Sequence, residues 1–123
     1  MKNKLILTIT AIIFLLSGFG FLLFPGLMMT PFGIEASEQL KNNEQLYGIS
    51  LISMAVLAWT SRKSVHEGWQ RSTNLTLFVY CILGMVVTLV HQMKEMANSA
   101  GWGIVTLHTI FAGFYGYFLI NKN

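Results

Sequence analysis

The stretch Leu5-Ile6-Leu7-Thr8-Ile9-Thr10-Ala11-Ile12-Ile13-Phe14-Leu15-Leu16-Ser17-Gly18-Phe19-Gly20-Phe21-Leu22-Leu23-Phe24 runs for twenty residues without a charged side chain. At a rise of about 1.5 Å per residue it makes a helix of about 30 Å, the thickness of a bilayer's hydrocarbon core. Lys2 and Lys4 precede it like the basic end of a signal peptide. The run is too long for that reading, no A-x-A cleavage site follows, and Pro25-Gly26 marks the stop of a helix. The stretch therefore reads as a membrane span.

The composition agrees. Of 123 residues 54% are hydrophobic and 11% charged, against about a quarter charged in a soluble domain. A water-soluble fold of this size could not cover so much apolar surface, and a disordered chain would not contain it. Three more apolar runs, 45–61, 73–93 and 102–120, join 5–24 to predict a single transmembrane domain over 1–123. The second reaches membrane length only with Glu44 and Gln45 in one interface and Ser61 in the other. The predicted fold is all-α, an antiparallel four-helix bundle.

Basic residues orient it. Lys2, Lys4, Arg62, Lys63, Arg71 and Lys122 fall on one side and Lys41 and Lys94 on the other, which predicts both termini to be cytoplasmic. The Pro25-to-Glu44 connection, apolar but broken by prolines and glycines, reads as a segment lying along the interface, with Ser37 capping a short helical turn.

Single Cys81 excludes an intrachain disulfide and multi-cysteine metal sites. The scattered basic residues form no nucleic-acid-binding run. There is no phosphate-binding P-loop, no G-x-S-x-G, no H-E-x-x-H and no aspartate, so hydrolytic and nucleotide-driven chemistry lacks its usual signatures and no catalytic or metal-ligating residue is assigned.

Two features of the helix faces point to function. Thr109, Ala112, Gly113 and Gly116 recur at i, i+3, i+4 and i+7, a stripe of small residues that permits close helix approach. Tyr80, Gly84, Val87, His91 and Glu95, at spacings of 4, 3, 4 and 4, share a face of the third span. His91 and Glu95 are one turn apart. A hairpin turning around Asn98 to Gly101 sets His108 of the fourth span near the depth of His91. The predicted ligand-binding constellation is Glu44, Tyr47, His91, Glu95 and His108, because ionisable groups within spans are costly without a partner.

The strings Leu23-Phe24-Pro25-Gly26, Pro31-Phe32-Gly33, Gln45-Leu46-Tyr47-Gly48 and Asn98-Ser99-Ala100-Gly101-Trp102, with Gly113-Phe114-Tyr115-Gly116-Tyr117-Phe118, resemble a bacterial family of small four-helix integral membrane proteins of unknown function. That resemblance implies four spans in a bacterial cytoplasmic membrane. Gly48 and His91-Gln92-Met93-Lys94-Glu95 also resemble the four-span scaffold family of ergosterol biosynthesis, which implies a non-catalytic scaffold. The leading expectation is a non-enzymatic protein that binds a small apolar ligand or lipid, or scaffolds membrane partners or its own copies. The alternatives are a redox or proton-handling component in which His91 and His108 meet haem or a quinone, and a homo-oligomeric pore.

Overall fold

The computed structural model describes residues 2–121. All regular structure among them is helical: α1 (Lys2–Leu23), α2 (Pro25–Met29), a 3-10 turn (Thr30–Phe32), α3 (Glu38–Ser61), α4 (Glu67–Met93) and α5 (Gly101–Ile120). Two compact units divide the chain, Met1–Val65 and His66–Asn123.

Three helices, α1, α4 and α5, are long and apolar enough to cross a membrane. The protein is thus an all-α integral membrane protein, and its apolar helix flanks suit it to lipid contact. The predicted four-helix bundle does not hold. Among the described residues there are five α-helices, and the expected span over 45–61 is the later part of α3. That helix is long enough at 24 residues. Its first turns carry Glu38, Lys41, Asn42, Asn43, Glu44 and Gln45, and this polarity dilutes the apolar run that follows. Three membrane-length helices are an odd number, so the expectation that both termini share the cytoplasmic side falls with the fourth span. Lys122, on which that expectation also draws, lies outside the described residues.

In the first unit α1 packs along α3. The buried positions of α1 include Leu7, Ala11, Phe14 and Gly18, and those of α3 include Gly48, Leu51, Ala55 and Ala58. Both sets alternate steps of three and four, which keeps one stripe of each helix facing inward. The helices meet most closely where glycine stands opposite glycine. A β-carbon on Gly18 would lie 2.8 Å from the Gly48 carbonyl oxygen, and one on Gly48 2.8 Å from the Leu22 nitrogen.

Pro25 ends α1 and opens α2, since it lacks the N–H needed to continue a helix yet suits a first turn. The carbonyls left over at the end of α1 need donors, and the Gln45 Nε2 donates to the Leu22 oxygen at 3.1 Å. Gly33, at φ 69°, closes the 3-10 turn in the left-handed region where only glycine is unstrained. Ser37 then caps α3, its hydroxyl accepting from the Leu40 N–H at 3.2 Å. The short turn expected there continues without a break through Asn42 and Asn43.

The second unit is the hairpin of α4 and α5. Its turn is held by Gln92, a buried residue whose Nε2 donates to the Asn98 carbonyl at 3.0 Å. The Asn98 side chain accepts from the Ala100 N–H at 3.0 Å, just before α5 starts. Gly101 is the residue that fits beside Gln92, because a β-carbon there would collide with the Gln92 amide oxygen.

Candidate functional site

His108 is the most deeply placed ionisable group expected from the sequence, and it is buried on the face of α5 turned to α4. Its Nδ1 lies 2.9 Å from the Ile104 carbonyl. A carbonyl only accepts, so Nδ1 carries a proton and donates it to this bond. The other edge of the ring rests on Gly84, where a β-carbon would lie 2.6 Å from Nε2. The imidazole thus fills the space that the missing side chain leaves, as a knob fills a hole.

This contact fixes the register of the hairpin. His108 stands opposite Gly84, and Gly101 opposite Gln92. His91 lies seven residues beyond Gly84 on α4, about two helical turns or 10 Å along the axis. The chain turns between Met93 and Gly101, earlier than the Asn98-to-Gly101 turn expected, and this shifts His108 relative to α4. His91 is exposed on the last turn of α4. Glu95 is exposed beyond that turn at φ 56°.

Glu44 and Tyr47 belong to the first unit, whereas His91, Glu95 and His108 belong to the second. Tyr47 packs edge-on against Phe21, with ring centroids 5.1 Å apart. Glu44 is half-buried on α3, and that burial pushes its carboxyl above the usual carboxylate range.

The face of α4 that is buried runs through Leu77, Cys81 and Gln92, with half-buried Gly84 and Thr88 between. Its spacing of 4, 3, 4 and 4 is the same as that of Tyr80, Gly84, Val87, His91 and Glu95. Both series contain Gly84, so periodicity alone does not choose between them. The polar residues missed by the sequence reading are Asn74, Thr88 and Gln92. Asn74 is buried, and its Oδ1 has no hydrogen-bond partner among the described residues. Thr88 donates to the Gly84 carbonyl at 2.7 Å.

The stripe expected on α5 divides. Ala112 is buried, and Gly116 faces Phe78, whose ring carbon would lie 3.1 Å from an added β-carbon. Thr109 and Gly113 are exposed, and nothing lies within 4 Å of a β-carbon built on Gly113. The Thr109 hydroxyl donates to the Val105 carbonyl at 2.8 Å, and Thr106 makes the same bond to Trp102 at 2.9 Å. Such internal bonds let hydroxyls face an apolar surrounding without an outside partner.

Elsewhere, a shallow open cleft of about 520 Å³ lies in the loop end of the first unit, with Glu35 and Lys41 as its charged groups. Lys41 is turned to Glu38, 2.8 Å away, and this cation with its hydrogen bond holds the Glu38 carboxyl below its usual range. Among the described residues no three His, Cys, Asp or Glu side chains converge as metal ligands. No protein-family model, no curated protein and no solved structure matches the chain, which overturns the resemblance to the two four-span families and leaves an all-α protein with several long apolar helices.

Proposed function

We propose that the protein is a non-catalytic membrane protein that works by lateral contact, seating a partner helix on the outer face of α5 while lipid covers its other apolar flanks. The observation that carries this reading is the open space around Gly113. A glycine inside a helix costs about 1 kcal/mol relative to alanine. At Gly18, Gly48 and Gly84 the close approach of a neighbour gives a reason for it. At Gly113 nothing within the described chain does. Thr109, one turn earlier, adds a small side chain whose hydroxyl is already satisfied, and small residues are what allow two membrane helices to approach closely.

In this reading His108 is a packing residue of the hairpin, and neither haem nor a quinone is called upon. A photo-cross-linking residue in place of Thr109, activated in the native membrane, should give adducts with a polypeptide, either another copy or a different protein. Gly113→Leu should abolish those adducts yet leave helix content and thermal unfolding unchanged, since its side chain enters open space. Adducts with lipid alone, or adducts that survive Gly113→Leu, would overturn the reading.

A further inference from the structure

The end of the first unit that joins the start of α1 to the end of α3 gathers positive charge, with no acidic residue of that unit among it. Gln45 reaches Leu22, and Ile52 lies against Gly18, so the two helices run antiparallel. Continued along the pair, this register brings Arg62 and Lys63 to the level of the first turns of α1, which carry Lys2 and Lys4. The acidic residues of this unit, Glu35, Glu38 and Glu44, all belong to the opposite end.

Arg62 differs from the three exposed lysines around it. Its guanidinium carbon sits 3.1 Å from the centroid of the Trp59 ring, a contact that fixes the plane of the fork. Its Nε is shielded from solvent and has no acceptor among the described residues. A charged donor in that state is costly, and an anionic oxygen would relieve it. The guanidinium fork matches the oxygens of a phosphate, which the point charge of a lysine does not. Lys2 and Lys4 open a helix of membrane length, and Trp59, half exposed beside Arg62, is a residue type enriched where hydrocarbon meets headgroups. These features suit that end of the unit to the level of lipid headgroups.

We propose that Arg62, surrounded by Lys63, Lys2 and Lys4, binds the phosphodiester of an anionic phospholipid headgroup. The fork's terminal nitrogens donate to the phosphate oxygens, the shielded Nε–H opens to one of them as the side chain shifts on the Trp59 ring, and the lysines favour a headgroup with net negative charge.

The full chain in phosphatidylcholine nanodiscs containing some phosphatidylglycerol tests this, with retained lipid read by native mass spectrometry and stability by thermal unfolding. Phosphatidylglycerol should be retained in preference to phosphatidylcholine and should raise the unfolding midpoint. Arg62→Lys keeps the charge but removes the Nε–H and the fork, and should weaken retention about tenfold. Lys63→Gln should weaken it less, and Lys41→Gln, at the opposite end of the same unit, should leave it unchanged. Equal retention of the two lipids, or an Arg62→Lys variant that matches the parent, would overturn the proposal. Displacement of the lipid by inorganic phosphate at equal concentration would overturn the lipid assignment. Should Arg62→Lys fail to fold, the exposed pair Lys4→Gln and Lys63→Gln decides: an unaltered preference for phosphatidylglycerol in that double variant would equally sink the site.

Discussion

Gly18 and Gly48 face each other so closely that a β-carbon on Gly48 would stand 2.6 Å from the Gly18 carbonyl oxygen. The obstacle is backbone, which does not swing aside as a flexible side chain does. Gly48→Ala should therefore destabilise the protein by about 1–3 kcal/mol, the usual range for overpacking. Gly103→Ala, where a β-carbon meets nothing within 4 Å, should be neutral or stabilising by up to about 1 kcal/mol. Unfolding in mixed micelles compares the two, and equal effects would contradict the glycine crossing.

His108 and Gly84 should be energetically coupled. Gly84→Ala alone pushes a methyl into the imidazole, and His108→Ala alone leaves a hole and removes the bond to the Ile104 carbonyl. Together the two changes relieve the clash and part of the hole. The double variant should thus be more stable than the sum of the single losses by at least about 0.5 kcal/mol. Strict additivity in a double-mutant cycle would show that the ring does not rest on Gly84.

Glu44 sets a pH dependence of definite sign. Its folded carboxyl is raised above the ordinary 4.5 by burial, so the folded state holds the proton more tightly than the unfolded one. Stability therefore falls as pH rises from about 4.5 through the folded value, and the full cost is present above it. Glu44→Gln removes a charge that is partly out of water and should raise the unfolding midpoint at neutral pH. The advantage should vanish below about pH 4.5, where both states of the parent carry the proton. A variant with no advantage at neutral pH, or one whose advantage persists in acid, would exclude this origin.

Glu95 holds a left-handed backbone at φ 56°, a conformation that costs a non-glycine residue roughly 1 kcal/mol. Glu95→Gly should stabilise the α4–α5 hairpin by a fraction of that, because glycine also gains freedom in the unfolded chain. Faster amide exchange at Met96 and Ala97 in this variant would count against it.

What was legible in the sequence was decided by strong local signals. The twenty uncharged residues of α1 and the long runs of α4 and α5 identify membrane-length helices without any knowledge of contacts. The 45–61 run does not reveal its role, because a short apolar segment looks alike whether it spans a membrane or continues a polar helix, and α3 begins at Glu38. The buried face of α4 was not decidable, since Gly84 belongs to two series of identical spacing. His91 is singled out by its ionisable ring and its one-turn spacing to Glu95, signals that Thr88 and Gln92 do not carry. The tool that separates them is the position of the turn, and an error of a few residues there moves His108 by a similar number along α4. The pairing of Gly18 with Gly48 depends on how α1 and α3 meet, which small residues in each helix permit but do not specify.

The division at Val65 and His66 has a consequence for biogenesis. Helix α1 has its long partner, α3, within the first 61 residues, so their packing needs no residue of α4, and α4 likewise needs only the segment that follows it. Each closure joins neighbours in the chain, so the entropy lost in bringing ends together stays small. The order in which the ribosome delivers the helices is then also an order in which they can mate, and the glycine crossing of α1 and α3 asks nothing of the rest of the polypeptide.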